Sequence, residues 1–173
     1  MKRPRLRISH RGNELAGSGK RTATGKHRAS RPSSGTEELV LPSTLESLEK
    51  IDRVTLRVAK LAGLTGESVD SVAIAVIEAV TNAIVHGNRN SASKTVMIRY
   101  GWKPGSITVT VHDEGEGFDL SCVFDPTDPV RCMACSGRGI FIMRQVMDTV
   151  DFCMPKGEGT TVTMTKAGEA PRS

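Results

Sequence analysis

Residues 68–88 read SVDSVAIAVIEAVTNAIVHGN, and two stripes within this stretch decide the fold. Val72, Val76, Ala79, Val80 and Ala83 recur at helical spacing and predict the core face of one long helix. Ser68 is its expected N-cap, Asp70 supplies first-turn negative charge, and Gly87 is the expected stop. Ser71, Ala75, Glu78, Asn82 and His86 form a second stripe, small and polar, at the same spacing. Glu78 and Asn82 are four residues apart and so are neighbours on the helix surface. Flanked by Ile77, Val80 and Ile84, a carboxylate and a carboxamide are costly to bury without partners. One reading is an ordinary amphipathic helix with two polar residues at its rim. The other is a ligand-facing surface, with the amide oxygen suited to a hard cation and the carboxylate to accepting a proton.

Upstream, Glu37 to Leu41 reads as a short strand ended by Pro42. Ser43-Thr44-Leu45-Glu46 has the form of a capping box. The helix it opens carries Leu45, Leu48, Ile51, Val54, Val58 and Leu61 on one face and stops at Gly63. Downstream, 94–102 and 106–113 alternate apolar and polar residues around Lys103-Pro104-Gly105, which predicts a hairpin with one buried face. Residues 114–136 read as a long loop, 137–148 as a helix, and 150–154 with 160–165 as a closing hairpin. The expected fold class is α+β: a two-layer sandwich, its mostly antiparallel mixed sheet carrying three helices on one face.

At 173 residues and 38% hydrophobic, the chain has enough apolar content for one domain with a real core. Six aromatics leave that core to Val, Ile, Leu, Met and Ala. No apolar run reaches about 18 residues and no signal-peptide core is visible, so the expectation is a cytoplasmic protein with no membrane span. The net charge of +5 hides an asymmetry. Residues 1–36 hold ten Lys/Arg against Glu14 alone, leaving 14 Lys/Arg against 18 Asp/Glu from residue 37 onward. The first segment, rich in Arg, Ser, Gly and Pro, is expected to be a disordered basic arm, either a plain solvated extension or a contact for nucleic acid or an acidic protein. The folded domain is expected over 37–167, with 168–173 as a tail. Cys132-Met-Ala-Cys135 has the spacing of a zinc or redox pair. No second such pair completes it, although Cys122 and Cys153 could; reduced thiols are the alternative.

Three motifs follow the long helix in order. Asp113-Glu114-Gly115-Glu116-Gly117 ends a strand; its acid can accept from an exocyclic amine while the glycines admit a flat ligand. Ser136-Gly137-Arg138-Gly139 opens a helix, where unpaired N–H groups suit phosphate. Gly157-Glu158-Gly159-Thr160 leads into the last strand. Together with EAVTNAIVHGN, and in the phrases HDEGEGFD, GRGIFIMRQVMDTVDF and GTTVTM, the ordered set resembles the GHKL, or Bergerat, ATP-binding fold of histidine kinases, gyrase and mismatch-repair ATPases. Within it, the likeness is to the anti-sigma-factor serine/threonine kinases of bacterial partner-switching systems, and it covers about residues 38–166.

That resemblance implies a histidine-kinase-like ATPase fold and an ATP-dependent serine/threonine protein kinase that requires Mg²⁺. It implies a phosphorylated anti-anti-sigma (STAS-type) substrate, a sequestered sigma factor and a homodimer. By the same likeness Glu78 is the general base, Asn82 holds Mg²⁺ and Asp113 binds the adenine amino group, joined by Thr160 through water. Gly115 and Gly117 line the nucleotide pocket, residues 119–136 form its lid, and Gly137, Arg138 and Gly139 hold phosphates. For Arg138 a solvent-facing arginine is the competing reading, and His86 reads as a helix-end group. Cys132 and Cys135 depart from the family pattern, which opens the question of a redox- or zinc-sensitive lid. A binding module that uses ATP only as a structural ligand is the alternative function. A histidine-kinase catalytic domain is disfavoured, because no helical hairpin with a phosphorylatable His precedes residue 38.

Overall fold

The computed structural model describes residues 7–8, 33–117, 137–155 and 157–168. Their strands are β1 (Arg7–Ile8), β2 (Gly35–Pro42), β3 (Thr95–Lys103), β4 (Ser106–Asp113), β5 (Thr149–Cys153) and β6 (Thr161–Ala167). The helices are α1 (Leu48–Leu61), preceded by a 3-10 turn at Leu45–Ser47, α2 (Glu67–Asn82), extended by a π-turn at Ala83–Gly87, and α3 (Gly137–Val146). The sheet runs β1-β2-β3-β4-β6-β5. Every described pair is antiparallel, so the mixed character expected of the sheet resolves into a wholly antiparallel one. The predicted two-layer α+β architecture is the observed one. Beyond β1, which pairs with Glu37 and Glu38, and residues 33–36, the basic arm lies outside the described residues, as do the predicted lid at 119–136 and residues 169–173.

Period-two alternation places the sheet. Val96, Ile98 and Tyr100 of β3, Ile107, Val109 and Val111 of β4, and Val162 and Met164 of β6 are buried on one face. The three helices cover that face, and their apolar stripes complete one core: Ile51 and Val58 from α1, Val72, Val76 and Val80 from α2, Ile140 and Met143 from α3. The opposite face is polar. There Thr108 meets Thr165 and Thr110 meets Thr163, each hydroxyl pair 3.3 Å apart, and His112 Nδ1 lies 2.9 Å from the Thr161 hydroxyl. The span Glu67–Gly87 is long and apolar enough to cross a membrane by length and composition, yet it is the central core helix.

Both predicted N-caps fail, for one physical reason. Ser43 donates its N–H to Lys94 O at 3.1 Å, extending the β2–β3 ladder, and this turns its hydroxyl inward, where it has no partner among the described residues. Thr44 takes the cap position instead, and Leu45, expected in the core, is 51% exposed because the 3-10 turn shifts its phase. At α2 the turn has already begun at Thr65, whose carbonyl accepts the Ser68 N–H at 3.3 Å, so Gly66 is the cap and Ser68 is buried within the first turn. The predicted stop at Gly63 is observed, with φ 79° and its N–H bonded to Lys60 O at 3.0 Å.

One buried polar contact ties α1 to the sheet. Thr55 Oγ1 donates to Ile51 O at 2.8 Å, so the Tyr100 hydroxyl, 2.8 Å away, donates to Thr55. Burial pushes the Tyr100 phenol far above its usual range, and it stays protonated. Tyr100→Phe removes this bond without opening a large cavity. The urea midpoint should fall by the equivalent of about 1 kcal/mol, with the m-value unchanged.

Candidate functional site

The last residue of β4 sets the geometry. The Asp113 N–H donates to Thr160 O at 3.0 Å, carrying the β4–β6 ladder one step past the strand. This turns the side chain into the cleft between the sheet and α2. The carboxylate is buried at 4% exposure, and both of its hydrogen bonds fall on one oxygen: Oδ1 accepts from Gly115 N–H at 2.8 Å and from Thr160 N–H at 3.2 Å. No donor reaches Oδ2 among the described residues. Burial raises the Asp113 pKa above the ordinary 3.8, and the two backbone donors, His112 and Lys94 pull it back only in part.

The glycines around this acid are required by contact. A Cβ on Gly87 would stand 2.5 Å from Asp113 Oδ2, and one on Gly115 would stand 2.7 Å from Oδ1. Gly87 is therefore not the left-handed stop expected from the sequence. The helix ends in the π-turn, with Asn88 N–H on Ala83 O at 2.7 Å, and the left-handed residues are Arg89 and Asn90, at φ 55° and 56°.

Asn82 and the mouth residue His86 line the cleft beside Asp113, Gly117 and Thr160. Its floor is apolar: Ala79, Ala83, Val111, Ile140, Met143 and Val162. The space it encloses amounts to about 60 Å³, a narrow slot beside α2 and the sheet. Glu78 is not on its wall. It lies under the first turn of α3, where a Cβ on Gly139 would be 2.9 Å from Glu78 Oε2 and 3.0 Å from Asn82 Nδ2. Gly137 is the first residue of α3 and Gly139 its third, so both carry N–H groups that the helix itself leaves unpaired. Arg138 between them is exposed and does not line the cleft, as its solvent-facing reading expects.

The donor set fits an adenine nucleotide. Among the described residues Asp113 Oδ2 is an acceptor without a donor, matched to an exocyclic amine, and the apolar floor is matched to a purine face. No cluster of three or more His, Cys, Asp or Glu able to hold a metal occurs among the described residues. The Asn82 amide oxygen is a hard donor beside the cleft, of a kind that would suit Mg²⁺. Cys122, Cys132 and Cys135 lie outside the described residues, and Cys153 is exposed at the end of β5. Sequence reasoning missed Asn88, which is 1% exposed and bonded to both neighbouring strand ends. Its one visible signal was a polar residue directly after the helix.

Comparison with known proteins agrees with this geometry. Residues 41–166 match the histidine kinase-like ATPase domain. The serine-protein kinase RsbW of Bacillus subtilis is 31% identical over 135 residues, which span 75% of this chain and 83% of the relative. The anti-sigma F factor of Bacillus thuringiensis is 36% identical over 130 residues, spanning 72% of this chain and 87% of the relative. Among solved structures, the RsbU and RsbW domains of a Mycobacterium tuberculosis protein superpose with a TM-score of 0.52 at 14% identity. That overlap takes in 80% of this chain and 34% of the other, and it bears on the fold alone. With half of the chain and more under one family model, and two relatives above 30% identity over most of their lengths, the chain belongs to the histidine kinase-like ATPase family, on the branch of RsbW and anti-sigma F factor.

Proposed function

We propose that this protein is an ATP-dependent serine/threonine kinase and anti-sigma factor. It phosphorylates a STAS-type anti-anti-sigma protein and sequesters a sigma factor in the cytoplasm, acting as a homodimer. The observation that carries the reading is the buried Asp113 carboxylate, which lines the same apolar cleft as Asn82 and whose Oδ2 meets no donor among the described residues. The kinase domain occupies 37–167, and the basic segment of 1–36, which contributes β1 and the start of β2 to the sheet, is able to touch nucleic acid.

In this reading Asp113 Oδ2 accepts from the adenine amino group, with Thr160 and the glycines Gly115 and Gly117 shaping that end. Asn82 holds the cation, and Gly137 and Gly139 donate backbone N–H groups to the phosphates, with Arg138 beside them. Mg²⁺, when bound, supplies neutralisation of the phosphate charge. Glu78 accepts the proton of the serine or threonine hydroxyl as its oxygen bonds to the γ-phosphorus, the bond to the β-phosphate oxygen breaks, and ADP leaves. The alternative, a binding module that holds ATP without transfer, draws on one observation: Glu78 is tucked beneath Gly139 rather than set on the cleft wall.

Labelled ATP separates the two. Glu78→Gln should lower phosphotransfer to the antagonist by about 100-fold or more while ADP binding stays within the wild-type range. Unchanged transfer removes Glu78 as base; complex formation with no transfer from the wild type selects the binding module.

Asp113→Asn is the test of the adenine end. It should weaken ADP binding by about tenfold or more, because an amide N–H replaces the acceptor. It should not destabilise the fold. The native pKa is raised, so the neutral acid contributes stability below the ordinary 3.8 and loses it as pH rises through the native value. Asparagine carries no such cost. Urea midpoints measured across that window should show the variant gaining on the wild type as pH increases, then holding its lead at neutral pH.

A further inference from the structure

We propose that Asn88 is a positioning residue for base recognition: it holds the Glu114 peptide so that Asp113 and Gly115 present a single carboxylate oxygen to the adenine. The proposal rests on the reading of the cleft as an adenine-nucleotide site.

Asn88 spans three elements with one buried side chain. Its Nδ2 donates to Thr95 O at the start of β3 at 2.8 Å, and its Oδ1 accepts the Glu114 N–H just past β4 at 2.9 Å. Its own N–H closes the π-turn on Ala83 O at 2.7 Å. The two left-handed residues that follow reverse the chain, with Asn90 N–H on Ile84 O at 2.8 Å, so Asn88 cannot drift along the helix axis.

The Glu114 N–H belongs to the peptide that joins Asp113 to Glu114. Holding that N–H fixes ψ of Asp113 and the direction from which Gly115 N–H returns to Oδ1, 2.8 Å away. The rest of Glu114 is pinned as well. Its carboxylate accepts from the Thr95 N–H at 2.9 Å and from the Thr95 hydroxyl, and its carbonyl accepts from Lys94 Nζ at 2.9 Å. These latter contacts are exposed, whereas Asn88 is 1% exposed and its bonds are part-buried. The better-covered bond is the one that water replaces least readily. Because Asn88 caps the π-turn that continues α2 from Asn82, the same clamp sets the spacing between the cation end and the base end of the cleft.

A merely structural lock and a positioning residue differ in one readout, the preference for ADP over GDP. Guanine offers a carbonyl where adenine offers an amine, so a well-aimed Asp113 rejects it. Calorimetric titration of the full chain with ADP and GDP, each with Mg²⁺, should show Asn88→Ala losing about tenfold in ADP affinity and most of its preference for ADP. Asn88→Asp keeps an acceptor for the Glu114 N–H but sets a carboxylate oxygen against Thr95 O, so it should lose stability yet retain more of that preference than Asn88→Ala. A folded Asn88→Ala with wild-type affinity and preference, whatever its melting temperature, overturns the proposal. Where Asn88→Ala fails to fold, Asn88→Asp decides alone: retained preference supports the clamp and lost preference overturns it. A wild-type chain that binds neither nucleotide removes the functional reading itself, a result distinct from any variant effect.

Discussion

A carboxylate taken out of water and given hydrogen bonds, among the described residues, on one of its two oxygens sets the terms for the rest of the molecule. Asp113 sits at the junction of β4, β6 and the end of α2, and each meets it through backbone or through a glycine. The Thr160 N–H and carbonyl register β6 against β4 at this point, and Gly87 allows the helix end to approach within contact distance. Desolvation leaves the acid under strain in the ligand-free state, with its pKa raised. In the proposed reading a ligand donor at Oδ2 would relieve that cost, and the unfavourable burial would be a local trade of stability for recognition.

The α2 helix is the second requirement. Its small residues matter as much as its polar ones. Ala75, Ala79 and Ala83 are buried where larger side chains would lift α3 and the sheet away. Since six aromatics are all the chain possesses, the core closes on Val, Ile, Met and Ala, and the cleft floor is made of the same residues. The slot is therefore the unfilled continuation of the core rather than a separate cavity.

Period was legible in the sequence; convergence was not. Alternation in 95–103 and 106–113 and the helical stripe of 67–82 state which face is buried, because burial is imposed on every second residue or every third and fourth. The motifs named Asp113, Asn82 and Thr160, and these three do line one cleft. Local cap chemistry misled at Ser43 and Ser68, since a strand ladder and an earlier turn had already claimed the backbone N–H groups that a cap reading assumes free. Gly87 looked like a φ > 0 glycine and is instead a glycine of close approach, a distinction that depends on Asp113, which lies far along the chain. Asn88 carried only the weak local signal of a polar residue after the helix, because its partners, Thr95 and Glu114, follow in other elements.

Gly139 shows how the phosphate end depends on the same economy of contact. Its missing side chain lets the first turn of α3 rest directly on Glu78 and Asn82. The groups beneath that turn are a carboxylate and an amide, and the groups above them are N–H donors that the helix leaves unpaired. A helix N-terminus attracts negative charge, so this turn is the place in the fold where an anion is least costly to hold. Any side chain at 139 would push the turn away from Glu78 and Asn82, so the spacing between them depends on one missing atom, the Cβ of Gly139.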